Sequence, residues 1–435
     1  MKLIYISPLR YPSEKAGSQF SMKSCEAFAD QGIAVELWAP YRWNQFGGED
    51  PFLFHHVKKN FRIITLPALD LSPLLPFFFF LLSFSFAIAA FFYALFRKEK
   101  NILYYSHEPF ALFLLTFITP LSRLQYGLAV GMKKIFKFIS KGSIPYEKVG
   151  GFVQDRTVYE IHDFPGRSVL FWWLFRRLDA VVTTNQWKKK EITKRFSFDA
   201  GRILAVFNAV DVQMFAIDVL RSEARRKLNL PHEKRIILYT GHLFGWKGVD
   251  TLLAAHRFLD PDEVIYFVGG TNEDIEKFKS KAQIITFESR SSGRGKSKIQ
   301  SVVIVGRRPH EEIPLWLRAA DVLVLPNTAL EDISKYYTSP VKLFEYMASG
   351  TSIVASDLPS VREIVSEEDV CFVKPDDPEA LYEGIKRVLS DHNFAGEISR
   401  NAVLKSKSYT WPRRTSRILS WLANRPSPNY DGNRL

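Results

Sequence analysis

The chain has 435 residues, 46% hydrophobic and 24% charged, which suits two globular domains of ordinary size and excludes a disordered or fibrous protein. Its two cysteines, Cys25 and Cys371, lie far apart and exclude both a disulfide framework and a CxxC metal site. The formal charge of +13 is uneven, +10 over residues 1–211 and +3 beyond, so the first half attracts nucleic acid or anionic lipid. In chain order, MKLIYIS is too brief an apolar run for a secretory signal and reads as a strand over 3–7, which predicts a reducing cytoplasmic setting. A helix over 18–31, closed by Gly32, and a strand over 34–39 complete a βαβ unit and predict a parallel sheet. Strands follow at 62–66, 102–105, 157–161, 180–183 and 202–207. Residues 71–96 carry no charge and nine phenylalanines, a length that qualifies as a transmembrane helix. Pro73 and Pro76 lie at one end of that run, and the βαβ alternation continues on both sides. A helix packed on the first domain, its outer face in the bilayer interface, is therefore preferred to a dry core helix or a span. Residues 132–139, MKKIFKFI, mix lysines and large apolar residues as an interfacial helix does, and equally as a solvated helix packed on the domain does. The strand at 157–161 runs into Glu160-Ile161-His162-Asp163, which places His162 at a carboxyl edge, where parallel sheets receive ligands. Residues 208–211 close the first half.

The second half repeats the alternation, with strands at 236–240, 264–268, 302–305, 322–325, 352–355 and 370–373 and helices between them. Its first strand leads through Gly241-His242-Leu243-Phe244-Gly245-Trp246-Lys247-Gly248 into a helix over 249–259. A glycine-rich strand-to-helix loop ending in a lysine suits a pyrophosphate, held by backbone amides and one point charge. About ninety residues on, YYTSPVKLFEYMASGTSIVAS reads as loop, helix, glycine stop and buried strand. Ser339 is the predicted N-cap, Pro340 the first helical residue and Gly350 the left-handed stop. Lys342 in the first helical turn opposes the helix dipole, and an anion bound there would reverse the sign of that effect. Glu345 shares the Lys342 face and can accept hydrogen bonds from a sugar. Asp260-Pro261-Asp262 spells a DxD pattern, but between a helix and a strand with a central proline it reads as a turn, and no metal is assigned. SRSSGRGKSK at 289–298 reads as a flexible basic loop, and no recognisable RNA module accompanies it, so nucleic acid is not expected as a partner.

The loop at 241–248, the EIHD segment and SPVKLFEYMA at 339–348 resemble the family-four retaining glycosyltransferases, glycosyl transferases group 1, in a variant with SPxKxFEYMA at the donor site. The resemblance implies an α/β GT-B fold, two Rossmann-like doubly wound parallel-sheet domains facing across a cleft. The domains implied are 1–211 on the acceptor side and 212–408 for the nucleotide sugar. A helix at 409–424 is expected to cross back to the first domain, and the composition of 425–435 predicts a disordered tail. It implies transfer of a sugar from a nucleoside diphosphate sugar to an acceptor. With the phenylalanine-rich run and the basic first half, a lipid-linked acceptor and a peripheral place at the inner face of the cell membrane are expected. The product class is then cell-surface polysaccharide or glycolipid. No cofactor or metal is implied, the nucleotide sugar being a substrate. The implied catalytic residues are His162, which approaches the donor sugar, and Lys247 and Lys342 on the diphosphate. Gly17, His242, Tyr337, Ser339 and Glu345 join the two lysines in binding the donor, with Glu345 on the ribose hydroxyls. His242 stands where arginine is more usual. Tyr337 stands where the family carries its first glutamate, with Glu331 and Asp332 as nearby substitutes. A nucleotide-sugar 2-epimerase on a similar fold and a non-catalytic sugar-nucleotide binding protein remain alternatives.

Overall fold

The computed structural model describes residues 1–71, 79–97, 99–119, 155–291 and 301–424, with backbone alone over 282–291. The predicted segment at 132–139, most of the basic loop at 289–298 and the tail at 425–435 lie outside the described residues. The chain divides into two compact units. The first holds residues 1–184, 188–206 and the helix Trp411–Ala423; the second holds 185–187 and 207–410. Before the C-terminal helix, the first unit runs to Val206 and the second resumes at Phe207.

The first unit is built on a parallel sheet of β1 (Lys2–Ile6), β2 (Ala34–Pro40), β3 (Arg62–Leu66), β4 (Ile102–Ser106), β5 (Arg156–Ile161), β6 (Ala180–Thr183) and β7 (Ile203–Ala205). The spatial order is β3-β2-β1-β4-β5-β6-β7. Side chains alternate across the pleat, so Leu3 and Tyr5 enter one core and Ile4 and Ile6 the other. Both faces are covered, which is why each strand reads as a short, nearly continuous apolar run. The helix Phe79–Leu95 buries Leu82, Phe86, Ala90 and Ala94. Phe80, Phe84, Ile88 and Phe92, at the same spacing on its other side, are 53%, 47%, 37% and 51% exposed. Among the described residues no helix is long and apolar enough to cross a membrane.

The helix Trp411–Ala423 packs against Ala16–Ala29, with Ile418 and Leu422 in the core. Arg156 donates to the Leu422 carbonyl at 2.8 Å, and Thr415 Oγ1 donates to that of Ala27 at 3.2 Å. The stripe Arg414, Ile418, Leu422 is its buried face, as its spacing requires.

The second unit has β8 (Arg235–Thr240), β9 (Glu263–Val268), β10 (Val302–Gly306), β11 (Val322–Leu325), β12 (Ile353–Ser356) and β13 (Cys371–Val373), all parallel, in the order β10-β9-β8-β11-β12-β13. Strand order reverses between β8 and β11, and a crevice at the carboxyl ends of such a pair is where doubly wound sheets bind ligands. The helix Val341–Ser349 seals one face of this sheet with Leu343, Phe344 and Met347.

Candidate functional site

Beyond Thr240 at the end of β8 the chain turns through Gly241, with φ of 117°, into a single short helical turn at Gly245–Lys247. Gly248 then takes φ of 70° as the chain enters the helix Val249–Ala254. A Cβ on Gly248 would stand 1.8 Å from the Pro326 carbonyl oxygen, so the loop is pressed against the end of β11 where no other residue fits. A Cβ on Gly241 would lie 3.1 Å from Lys342 Nζ. The glycine therefore gives the lysine its place beside the loop.

Lys342 is buried, with its ammonium 3.6 Å from the centre of the Tyr239 ring and without a hydrogen-bond partner among the described residues. Burial, and then the like charge of Lys247, push its pKa well below that of an ordinary lysine, against the opposing pull of Glu345. Lys247 lies over the Trp246 ring at 4.9 Å and is lowered to about 8, again by burial, with Glu345 opposing. His242 stacks on Phe244 at 4.9 Å and stands 3.5 Å from Asp274. Burial and Lys247 outweigh that aspartate, so the histidine pKa is lowered. The Glu345 carboxylate accepts a hydrogen bond from His310 Nε2 at 3.0 Å. His242, Lys247, Lys342 and Glu345 thus form one electrostatically coupled group on the glycine loop and the start of the Val341–Ser349 helix.

Two expected details are corrected. Pro340, not Ser339, caps that helix, and no side chain serves as the cap. Ser339 is buried, and its hydroxyl is used elsewhere: Asn208 N–H donates to its Oγ at 3.3 Å and Asn208 Nδ2 to its carbonyl at 2.7 Å. Gly17 lies inside the helix Ala16–Ala29, which starts two residues before the predicted 18–31. What glycine provides there is space, since a Cβ would meet Leu9 Cδ1 at 2.9 Å.

Tyr337 ends a wide helical turn at Ile333–Tyr337 and packs on Trp187 at 4.7 Å, while its hydroxyl donates to Asp332 at 3.4 Å. Glu331 and Asp332 are exposed beside it.

In the first unit, His162 follows the end of β5. Its ring meets Phe20 edge-on at 4.4 Å and His107 at 5.8 Å, and its Nε2 lies 3.5 Å from Glu160. Glu160 is fully buried and bonded to Arg414 of the C-terminal helix. Burial raises the Glu160 pKa, but Arg414 and His162 overcome that and hold it below the usual carboxylate range. The Lys188 ammonium donates to the His162 carbonyl and, at 2.9 Å, to Thr184 Oγ1, which fixes the turn. Asp262 of the DxD triplet is engaged by Arg235 at 2.8 Å.

Sequence reasoning missed His310, Trp187 and Asn208. His310 opens a short turn at His310–Glu312 soon after the carboxyl end of β10, so the rule that ligands gather at those ends is the signal that points to it.

Residues 234–391 match the family described as glycosyl transferases group 1. An uncharacterised glycosyltransferase of Methanocaldococcus jannaschii is 24% identical over 237 residues, 53% of this chain and 56% of that protein. A D-inositol 3-phosphate glycosyltransferase of Catenulispora acidiphila is 24% identical over 250 residues, 56% of each. The chain thus spans a little over half the length of these curated relatives. Among solved structures, Anabaena HepE in complex with UDP and glucose superposes with a TM-score of 0.67 at 16% identity, covering 98% of this chain and 100% of that one. The glycosyltransferase of Rickettsia africae gives 0.68 at 13% identity, covering 98% and 99%. The fold, two parallel-sheet α/β units of seven and six strands, is that of the GT-B glycosyltransferases.

Proposed function

We propose that the chain is a retaining glycosyltransferase that moves a sugar from a nucleoside diphosphate sugar to an acceptor hydroxyl. The observation that carries this reading is Lys342, a buried ammonium without a hydrogen-bond partner among the described residues, placed against a glycine-rich loop with Lys247 beside it. A diphosphate is the ligand class that would neutralise both lysines while taking hydrogen bonds from loop amides. The group 1 match over residues 234–391 and a fold shared with a protein solved with UDP and glucose support the same choice.

In this mechanism Lys247, Lys342 and His242 stabilise the charge that develops on the departing diphosphate, an effect worth about 3 kcal/mol or more per well-placed group. The bond from the anomeric carbon to the phosphate oxygen breaks, and the acceptor oxygen forms its bond on the same face. The acceptor proton passes to the departing phosphate, so no protein nucleophile is needed. Glu345 takes the ribose.

The acceptor is proposed to be lipid-linked, with the enzyme peripheral at the cytoplasmic face of a membrane and its product a cell-surface polysaccharide or glycolipid. The exposed Phe80–Phe84–Ile88–Phe92 stripe and the +10 charge of residues 1–211 support that placement, because apolar insertion and attraction to anionic lipid reinforce each other. Lys247→Ala and Glu345→Ala should each slow transfer from a validated donor by about a hundredfold; rates equal to the parent's would overturn the reading. Tyr337, already engaged by Trp187 and Asp332, favours one second reading, a nucleotide-sugar binding protein without turnover. Donor binding with neither transfer nor hydrolysis across an acceptor panel would select it.

A further inference from the structure

The charge of Glu345 acts on both Lys247 and Lys342, yet among the described residues its ion-pair partner is His310 rather than either lysine. Its Oε1 accepts from His310 Nε2 at 3.0 Å, and only 14% of its side chain is exposed. The His310 ring in turn lies 5.6 Å from the Phe215 ring at an interplanar angle of 66°, and it starts a turn directly after Pro309, so its direction is constrained from two sides. Because the acceptor is a carboxylate oxygen, the bonded nitrogen carries the proton, which fixes the imidazole as a donor here. A carboxylate offers about four lone-pair positions, and His310 occupies one of them. The remaining directions on the two oxygens match a vicinal diol, whose two hydroxyls donate side by side. Without His310 the flexible glutamate would be drawn towards Lys247 and Lys342, both of which feel its charge.

We propose that His310 is a positioning residue that holds the Glu345 carboxylate so that it reads both hydroxyls of a ribose. The donor is then a ribonucleoside diphosphate sugar, and 2′-deoxyribonucleoside diphosphate sugars, thymidine diphosphate sugars among them, are rejected. This rests on the reading above that the Lys247–Lys342 loop takes a nucleoside diphosphate. Discrimination of this kind is strong because a deoxy ligand leaves a partly buried carboxylate lone pair without its partner.

The test is calorimetric binding of UDP and dUDP, GDP and dGDP, and ADP and dADP to the full chain and to His310→Ala and His310→Gln. The parent should bind its preferred ribonucleotide at least about tenfold more tightly than the deoxy partner. In His310→Ala the ribonucleotide should weaken about tenfold while the deoxynucleotide hardly changes, collapsing the gap. His310→Gln, which can still donate, should restore most of it. Equal binding of ribo and deoxy forms by the parent, or equal weakening of both in His310→Ala as simple loss of packing would give, overturns the proposal. If the parent binds none of the six, the functional reading fails, and this inference with it.

Discussion

Burying an ammonium without a counter-ion costs several kcal/mol unless it loses its proton or gains an anion. Lys342 is in that condition, with its neighbour Lys247 adding repulsion. In Lys342→Met the ligand-free protein should melt a few degrees higher, and nucleoside diphosphate binding should fall by about a hundredfold; a lower melting temperature would contradict the desolvation argument. The pH dependence follows with its sign. A lysine whose folded pKa is depressed carries fewer protons folded than unfolded, so the ligand-free protein gains stability as pH rises through the gap. For Lys247 that window runs from about 8 to its ordinary 10.5. An anion restores the lysine pKa values, so diphosphate binding near pH 8 should take up protons, seen as a binding enthalpy that changes with buffer ionisation. At Gly248 the constraint is steric, and Gly248→Ala should cost about 3 kcal/mol or more, because both φ and the Pro326 carbonyl exclude a Cβ.

At the scale of elements, the strands were legible because most of them, the edge strands β3 and β10 apart, are buried on both faces and so read as runs of β-branched and aromatic residues. Gly350 ends its helix at φ of 73°, as its place after the last periodic residue implied. The start of that helix was not legible. Ser339 is a good local cap, but Asn208, far away in sequence, takes its hydroxyl, and no local pattern records such a contact. The same holds for His310 on Glu345 and Trp187 on Tyr337. Lys342 was conspicuous because its charge opposes its position in the helix, whereas its burial against Tyr239 depends on packing alone. The C-terminal helix is tied into the first unit by the buried Arg414–Glu160 pair. Arg414→Met should destabilise by about 3–5 kcal/mol, since it leaves a buried carboxylate unpaired. Adding Glu160→Gln should recover part of that loss; a neutral effect of the single change in a denaturant titration would contradict the pairing.

At the scale of the whole molecule, net positive charge and, among the described residues, exposed large apolar side chains are both concentrated in the first half, where Phe84, Ile88 and Phe92 stay exposed and Phe80 meets Phe110 edge-on at 5.3 Å. Co-sedimentation should be strong with anionic vesicles at low salt, fall as salt rises, and be lost in Phe84→Ser/Phe92→Ser with an unchanged melting temperature. Sedimentation unaffected by the double substitution would return the stripe to ordinary surface. The proposed donor side lies in the second unit, where the group 1 match, the glycine loop and the paired lysines coincide. The claim that everything else rests on is that this loop holds a nucleoside diphosphate. Calorimetric titration of UDP, GDP and ADP into the parent and the Lys247→Ala/Lys342→Met double variant tests it directly. The parent should bind at least one of them with proton uptake, and the double variant none at the same concentrations; equal affinity in both would contradict it.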